Sequence, residues 1–176
     1  MNDLEKLLFG VRRSVRYHHR RTLFFDRFHK TSTFLSALSG TATLASVLAK
    51  AGPAWTLTFA ASVAVFSVID LVVGTAQLAR LHNDLSKRFI KLEKEIIKSK
   101  DATPESVSVF TTQRLDIEAD EPPPLKVLDS ICHNELLRAM GYDKSEFLEI
   151  KWYQRFFSQF INIHEHKIHS KTATQT

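Results

Sequence analysis

Two adjacent stretches free of charged side chains, residues 31–49 and 51–69, constrain this chain more than any other feature. At about 1.5 Å rise per residue, each would cover about 28 Å as a helix, close to the thickness of a bilayer's hydrocarbon core. Between them stands Lys50-Ala51-Gly52-Pro53. Gly and Pro end the first helix, and Pro suits the first turn of the second. The pattern predicts a two-transmembrane helical hairpin over residues 31–79. Its soluble counterpart is a buried helical hairpin in an all-α domain.

Charge is distributed to match. Residues 1–30 hold eight Lys/Arg against three Asp/Glu, a difference equal to the whole chain's net charge of +5. An excess of cations on one flank of a first span marks the cytoplasmic side. The N-terminus is therefore expected in the cytoplasm, with the hairpin returning the C-terminus to the same side. The basic segment carries no nucleic-acid-binding motif, so no nucleic-acid partner is expected. No cleavable signal peptide is read in the first residues. A single cysteine, Cys132, rules out an internal disulfide, and its apolar helical setting reads as a buried structural thiol.

Taken in order, residues 1–30 form a basic amphipathic helix, with Leu4, Leu7, Leu8, Val11 and Val15 on one face. That face would pack on the protein's own helices, while the arginines and Phe24, Phe25 and Phe28 suit anionic headgroups near the first span.

The first span is polar for its class. Ser32, Ser36, Ser39, Thr43, Ser46 and Lys50 recur every three or four residues and form one hydroxyl stripe. Ser36/Gly40, Ala42/Ser46 and Ala45/Ala49 place small residues four apart, permitting close helix approach. The stripe is either the wall of a multi-subunit pore or a helix–helix seam. In the second span Thr56, Ala60, Val63, Ser67, Asp70, Gly74 and Gln77 make a second such line. Asp70, about 22 Å from Trp55 along a helix, would lie near the cytoplasmic boundary. It would either ring a pore mouth or pair with Arg27 or Lys30.

Leu78, Leu81, Leu85, Phe89, Leu92 and Ile96 continue an apolar stripe through charged sequence. The second span should thus run on, past a tolerated Gly74, as one cytosolic helix to about residue 100. Residues 80–168 form the cytosolic helical region and 169–176 a flexible tail. Thr103-Pro104-Glu105 is a helix start, although the type of the segment to Glu118 stays open. The acidic Asp120-Glu121-Pro122-Pro123-Pro124 reads as an exposed turn. A helix over residues 125–140 closes at Gly141. Asp143-Lys144-Ser145-Glu146 is a capping box that should open an aromatic-rich helix to about Ile168, packed on the other helices or dipped into the membrane surface. His164, His166 and His169 do not share a face at metal-binding spacing, and they read as a solvated tail.

No Gly-rich phosphate loop, nucleophile–base arrangement or ligand cluster is present, so neither enzyme activity, cofactor nor metal is expected.

Arg16-Tyr17-His18 with Phe24-Phe25-Asp26, then Ile117-Glu118-Ala119-Asp120-Glu121-Pro122-Pro123, then Cys132-His133-Asn134-Glu135 resemble the SLATT domains. These are small bacterial two-transmembrane proteins found with nucleotide-signalling and other anti-phage systems. The resemblance covers about residues 11–152. It implies a membrane effector that forms pores as a homo-oligomer once infection is sensed. This chain shows no fused sensor, so the signal would come from a partner protein or from assembly. The resemblance also makes His133, Asn134 and Glu135 interaction candidates, which would fasten their helix to Arg16, Arg20 or Arg21. The alternatives are a membrane anchor or scaffold for a cytosolic partner and, third, a holin-like lysis hairpin.

Overall fold

The computed structural model describes residues 2–50, 52–99, 103–164 and 168. Ala51, His166, His169 and the expected tail at 169–176 lie outside the described residues. The fold is all-α: α1 (Asp3–Leu48), α2 (Pro53–Val73), α3 (Thr75–Lys98), α4 (Pro104–Glu118), α5 (Lys126–Ala139) and α6 (Trp152–Phe157), with a 3-10 turn at Lys144–Glu146. Two compact units divide it, one of Met1–Arg21 with His82–Thr176 and one of Thr22–Leu81.

The first unit is held by apolar faces at helical spacing. Leu7 and Val11 of α1 meet Leu85, Phe89, Leu92 and Ile96 of α3 and Ile117 of α4. A smaller cluster joins Tyr17 of α1 to Leu128 and Cys132 of α5. Burial pushes the Cys132 thiol up to about 12, which keeps it protonated and inert. Along α3 the buried line is Leu85, Phe89, Leu92 and Ile96, with His82 and Ser86 joining it, while Leu81 is exposed.

α4 is helical throughout, its N-cap Thr103 accepting from the Ser106 N–H at 3.2 Å. Gly141, at φ +80°, closes α5 in a Schellman motif, with Tyr142 N–H donating to the Leu137 carbonyl at 3.0 Å. The capping-box sequence after it opens no long helix. Asp143 accepts from the Ser145 N–H, but Phe147 is already extended at ψ 141°, so only a single 3-10 turn forms. The aromatic helix expected to reach Ile168 is confined to α6.

The second unit pairs the latter part of α1 with α2. Ser32 donates to the Phe66 carbonyl, a Cβ on Gly40 would touch Val63, and Ser46 meets Thr56, so the two helices run antiparallel. One described helix is long and apolar enough to cross a membrane, the stretch Pro53–Lys98. Its apolar part is α2, in which no residue is buried. Two such helices were expected. The first run falls short because eight Ser and Thr in residues 31–46 dilute its leucines.

The continuous helix expected from the second span to residue 100 is also interrupted. Gly74 adopts a left-handed conformation, φ 63° and ψ 44°, and its N–H caps the Asp70 carbonyl at 3.0 Å. α2 stops there and α3 restarts at Thr75.

Candidate functional site

Two groups of polar residues stand out, one in each unit. In the second unit the hydroxyl stripe of α1 faces α2 at both ends. Ser32 and Ser46 are buried, and their hydroxyls reach the Phe66 carbonyl at 3.1 Å and the Thr56 hydroxyl at 2.8 Å. Thr43 donates back to the Ser39 carbonyl at 2.8 Å, as hydroxyls in an apolar setting commonly do. Ser36, Ser39 and Thr43 are half-buried between the two ends.

Asp70 lies at the break between α2 and α3. Its carboxylate accepts from the buried Thr75 hydroxyl and lies 2.9 Å from His29 Nδ1. The partners expected from the sequence were Arg27 or Lys30. Lys30 instead pairs with Asp26 one turn back, at 2.8 Å, and the imidazole one residue earlier is in phase with α2. His29 was missed because its own surroundings in sequence carry no signal.

In the first unit the N-terminal arginines are spent on intramolecular pairs. Arg12 meets Glu93 at 2.8 Å, Arg13 meets Asp129 at 3.1 Å, and Arg20 grips both Glu135 carboxylate oxygens, one of them at 3.1 Å. Arg21 donates to the Gln159 carbonyl at 2.6 Å, and Arg16 to the Arg12 carbonyl one turn before it. Of the three neighbours on α5, Glu135 meets Arg20, one of the partners expected for them. His133 packs edge-on against Phe9, and burial beside Arg13 holds its pKa below the ordinary histidine value. Asn134 turns the other way: its amide brackets Leu148, accepting from its N–H at 2.8 Å and donating to its carbonyl at 2.7 Å.

The acidic stretch before the prolines is exposed at Ala119, Asp120, Pro123 and Pro124, as expected, but its carboxylates are paired. Arg114 holds Glu118 at 2.7 Å and Arg88 holds Asp120 at 2.5 Å. Glu121 lies 3.0 Å from Nε2 of His18, whose Nδ1 is 2.9 Å from Nδ1 of His82. His18 and His82 are each 1% exposed. Burial, with His18 and Arg21 nearby, pushes His82 down to about 3, so it is neutral. Beside this chain Tyr17 Oη accepts from the Leu125 N–H at 2.9 Å, which anchors the proline turn to α1. The neighbouring cleft, about 310 Å³, is lined by Arg13, Tyr17, Arg114, Glu118, Pro124 and Asp129 among others. Burial raises the Asp129 pKa against the pull of Arg13.

This arrangement fastens helices: Arg12, Arg13, Arg20 and Arg21 of α1 each have a carboxylate or carbonyl from outside that helix opposite them. Among the described residues no group of His, Cys, Asp and Glu is placed to hold a metal ion. No protein-family model, curated protein or solved structure matches the chain.

Proposed function

We propose that this chain is a non-enzymatic effector of the bacterial inner membrane, of the SLATT kind. In this reading it oligomerises through its second unit and depolarises the membrane as part of an anti-phage response. The hairpin of α1 and α2 spans the bilayer twice, and both termini are cytoplasmic. The first unit is then the cytosolic part, open to a signalling partner. The observation that carries this reading is the surface of the second unit. Leu71 and Val72 are 81% and 78% exposed, and Phe34, Leu44, Leu48 and Leu57 are exposed as well. An apolar shell of this extent, wrapped around a hydroxyl-lined seam, is suited to acyl chains and unsuited to water.

A second reading, a membrane anchor or scaffold, is favoured by one specific observation. Ser32 and Ser46 already have partners in α2, so the ends of the stripe serve the protein's own packing. Induction of the protein with a voltage-sensitive dye separates the two. Rapid depolarisation that is lost in Asp70→Asn supports the pore. A steady potential, with a cytosolic protein co-purifying, supports the scaffold. Recovery of the chain in the soluble fraction without detergent removes both.

A further inference from the structure

The face of α6 has its polarity inverted. Gln154 and Ser158 are buried, and the Gln154 amide is used up on the Lys151 N–H and the carbonyls of Ile163 and His164. The aromatics point the other way: Trp152 is 79% exposed, Phe156 70%, and Phe160 and Ile161 more than half. Trp152, Arg155 and Phe156 share one face by their three- and four-residue spacing. Residues 150–161 carry two charges, Lys151 and Arg155, both positive and both exposed; the flanking carboxylates in sequence, Glu146, Glu149 and Glu165, lie outside the patch segment.

We propose that this patch of Trp152, Phe156, Phe160 and Ile161, rimmed by Lys151 and Arg155, docks on the anionic surface of the bilayer. Its aromatic rings enter the headgroup layer and its cations meet lipid phosphates. Tryptophan with an apolar body and a polar N–H is suited to that depth, and each nearby cation is attracted to an anionic leaflet. A second copy of the chain is a poorer occupant, because a two-fold contact would set Lys151 and Arg155 against their own counterparts. The proposal rests on the membrane reading above. Covalent linkage to α2 makes the docking step intramolecular, so a small patch is enough.

The chain holds two tryptophans, Trp55 in α2 and Trp152 in α6, which lets one experiment separate the two claims. The full chain is reconstituted in vesicles of neutral lipid, or of neutral and anionic lipid mixed, carrying spin labels at headgroup or mid-chain depth. Trp55→Phe leaves Trp152 as the reporter, and Trp152→Phe leaves Trp55. Expected is loss of Trp152 fluorescence with headgroup labels in anionic vesicles. That loss should weaken in neutral vesicles and in Arg155→Gln. Phe156→Ser should restore access of aqueous iodide to Trp152 while circular dichroism stays unchanged. Trp152 untouched by any lipid label while Trp55 is quenched overturns the docking and leaves the membrane reading standing; shielding of Trp152 from iodide in that case identifies a protein contact instead. Both tryptophans untouched overturns both claims.

Discussion

Nδ1 of His18 and Nδ1 of His82 lie 2.9 Å apart inside the first unit, with both rings removed from solvent. One nitrogen must donate and the other accept, so the contact requires at least one neutral ring. Because His82 is held at about 3 when folded and at about 6.5 when unfolded, the unfolded state binds the extra proton between those values. Stability should therefore be intact above about pH 6.5 and fall as the pH drops toward 3, by at most about 1.4 kcal/mol per pH unit from this group. Thermal unfolding in detergent across that range should show the loss. His82→Gln, which keeps hydrogen-bonding capacity without titrating there, should have a shallower pH dependence; an unchanged slope would rule out His82 as its source.

Arg20 and Glu135 are both partly exposed, which limits what their two-pronged contact contributes. A double-mutant cycle with Arg20→Ala and Glu135→Ala should return a coupling of about 0.5–1 kcal/mol, reduced by half-molar salt. A coupling above about 3 kcal/mol would mean that the pair is desolvated in the assembled protein.

Asn134 should matter more than either of these. Replacing it with Ala strands the N–H and carbonyl of Leu148 together, and each unsatisfied group costs about 1–3 kcal/mol if water stays out. Asn134→Asp keeps the acceptor and loses the donor. Denaturant titration should therefore rank wild type above Asn134→Asp above Asn134→Ala, and limited proteolysis of Asn134→Ala should cut first in residues 143–151.

Hydroxyls of α1 should divide by position. Ser46→Leu puts bulk against Thr56 and should loosen the α1–α2 pair, seen as a lower detergent melting temperature. Ser39→Leu, at a half-buried site, should leave the melt within about 1 kcal/mol of wild type. Equal effects at the two sites would mean that the seam is uniform along its length.

At Gly74, alanine must adopt φ 63° or straighten the helix. Gly74→Ala should cost about 1 kcal/mol if the break is kept. A rise in both helicity and melting temperature would show that α2 and α3 fuse at little expense.

Helix periodicity made most of the core legible: Leu7, Val11, Leu85, Phe89, Leu92 and Ile96 are apolar at three- and four-residue spacing, and all are buried. It misplaced the start of the α3 line, where Leu81 is exposed and His82 buried. A histidine enters an apolar row only when its ring finds a partner, and His18, 64 residues away, is invisible to local pattern. The same holds for Glu121 and Asn134. Gly74 was passed over because a lone glycine is tolerated in helices, and only the Asp70–Thr75 contact beside it marks the break. In α6 the rule that apolar side chains face inward failed outright, since Gln154 is buried and Trp152 is not.

The arginine pairs have a consequence in time. Arg12 and Arg20 precede their partners Glu93 and Glu135 by 81 and 115 residues. At about 5–20 residues per second, the ribosome needs about 6–23 s to supply the second carboxylate after Arg20 has emerged. Both apolar runs are complete by residue 69, before Glu93, Asp129 or Glu135 has been made. Arg12, Arg13 and Arg20 therefore still lack their carboxylate partners when the two runs have been made, and meet Glu93, Asp129 and Glu135 afterwards. In the proposed membrane topology, the same side chains would serve first as a topological signal and then as the cement of the finished fold.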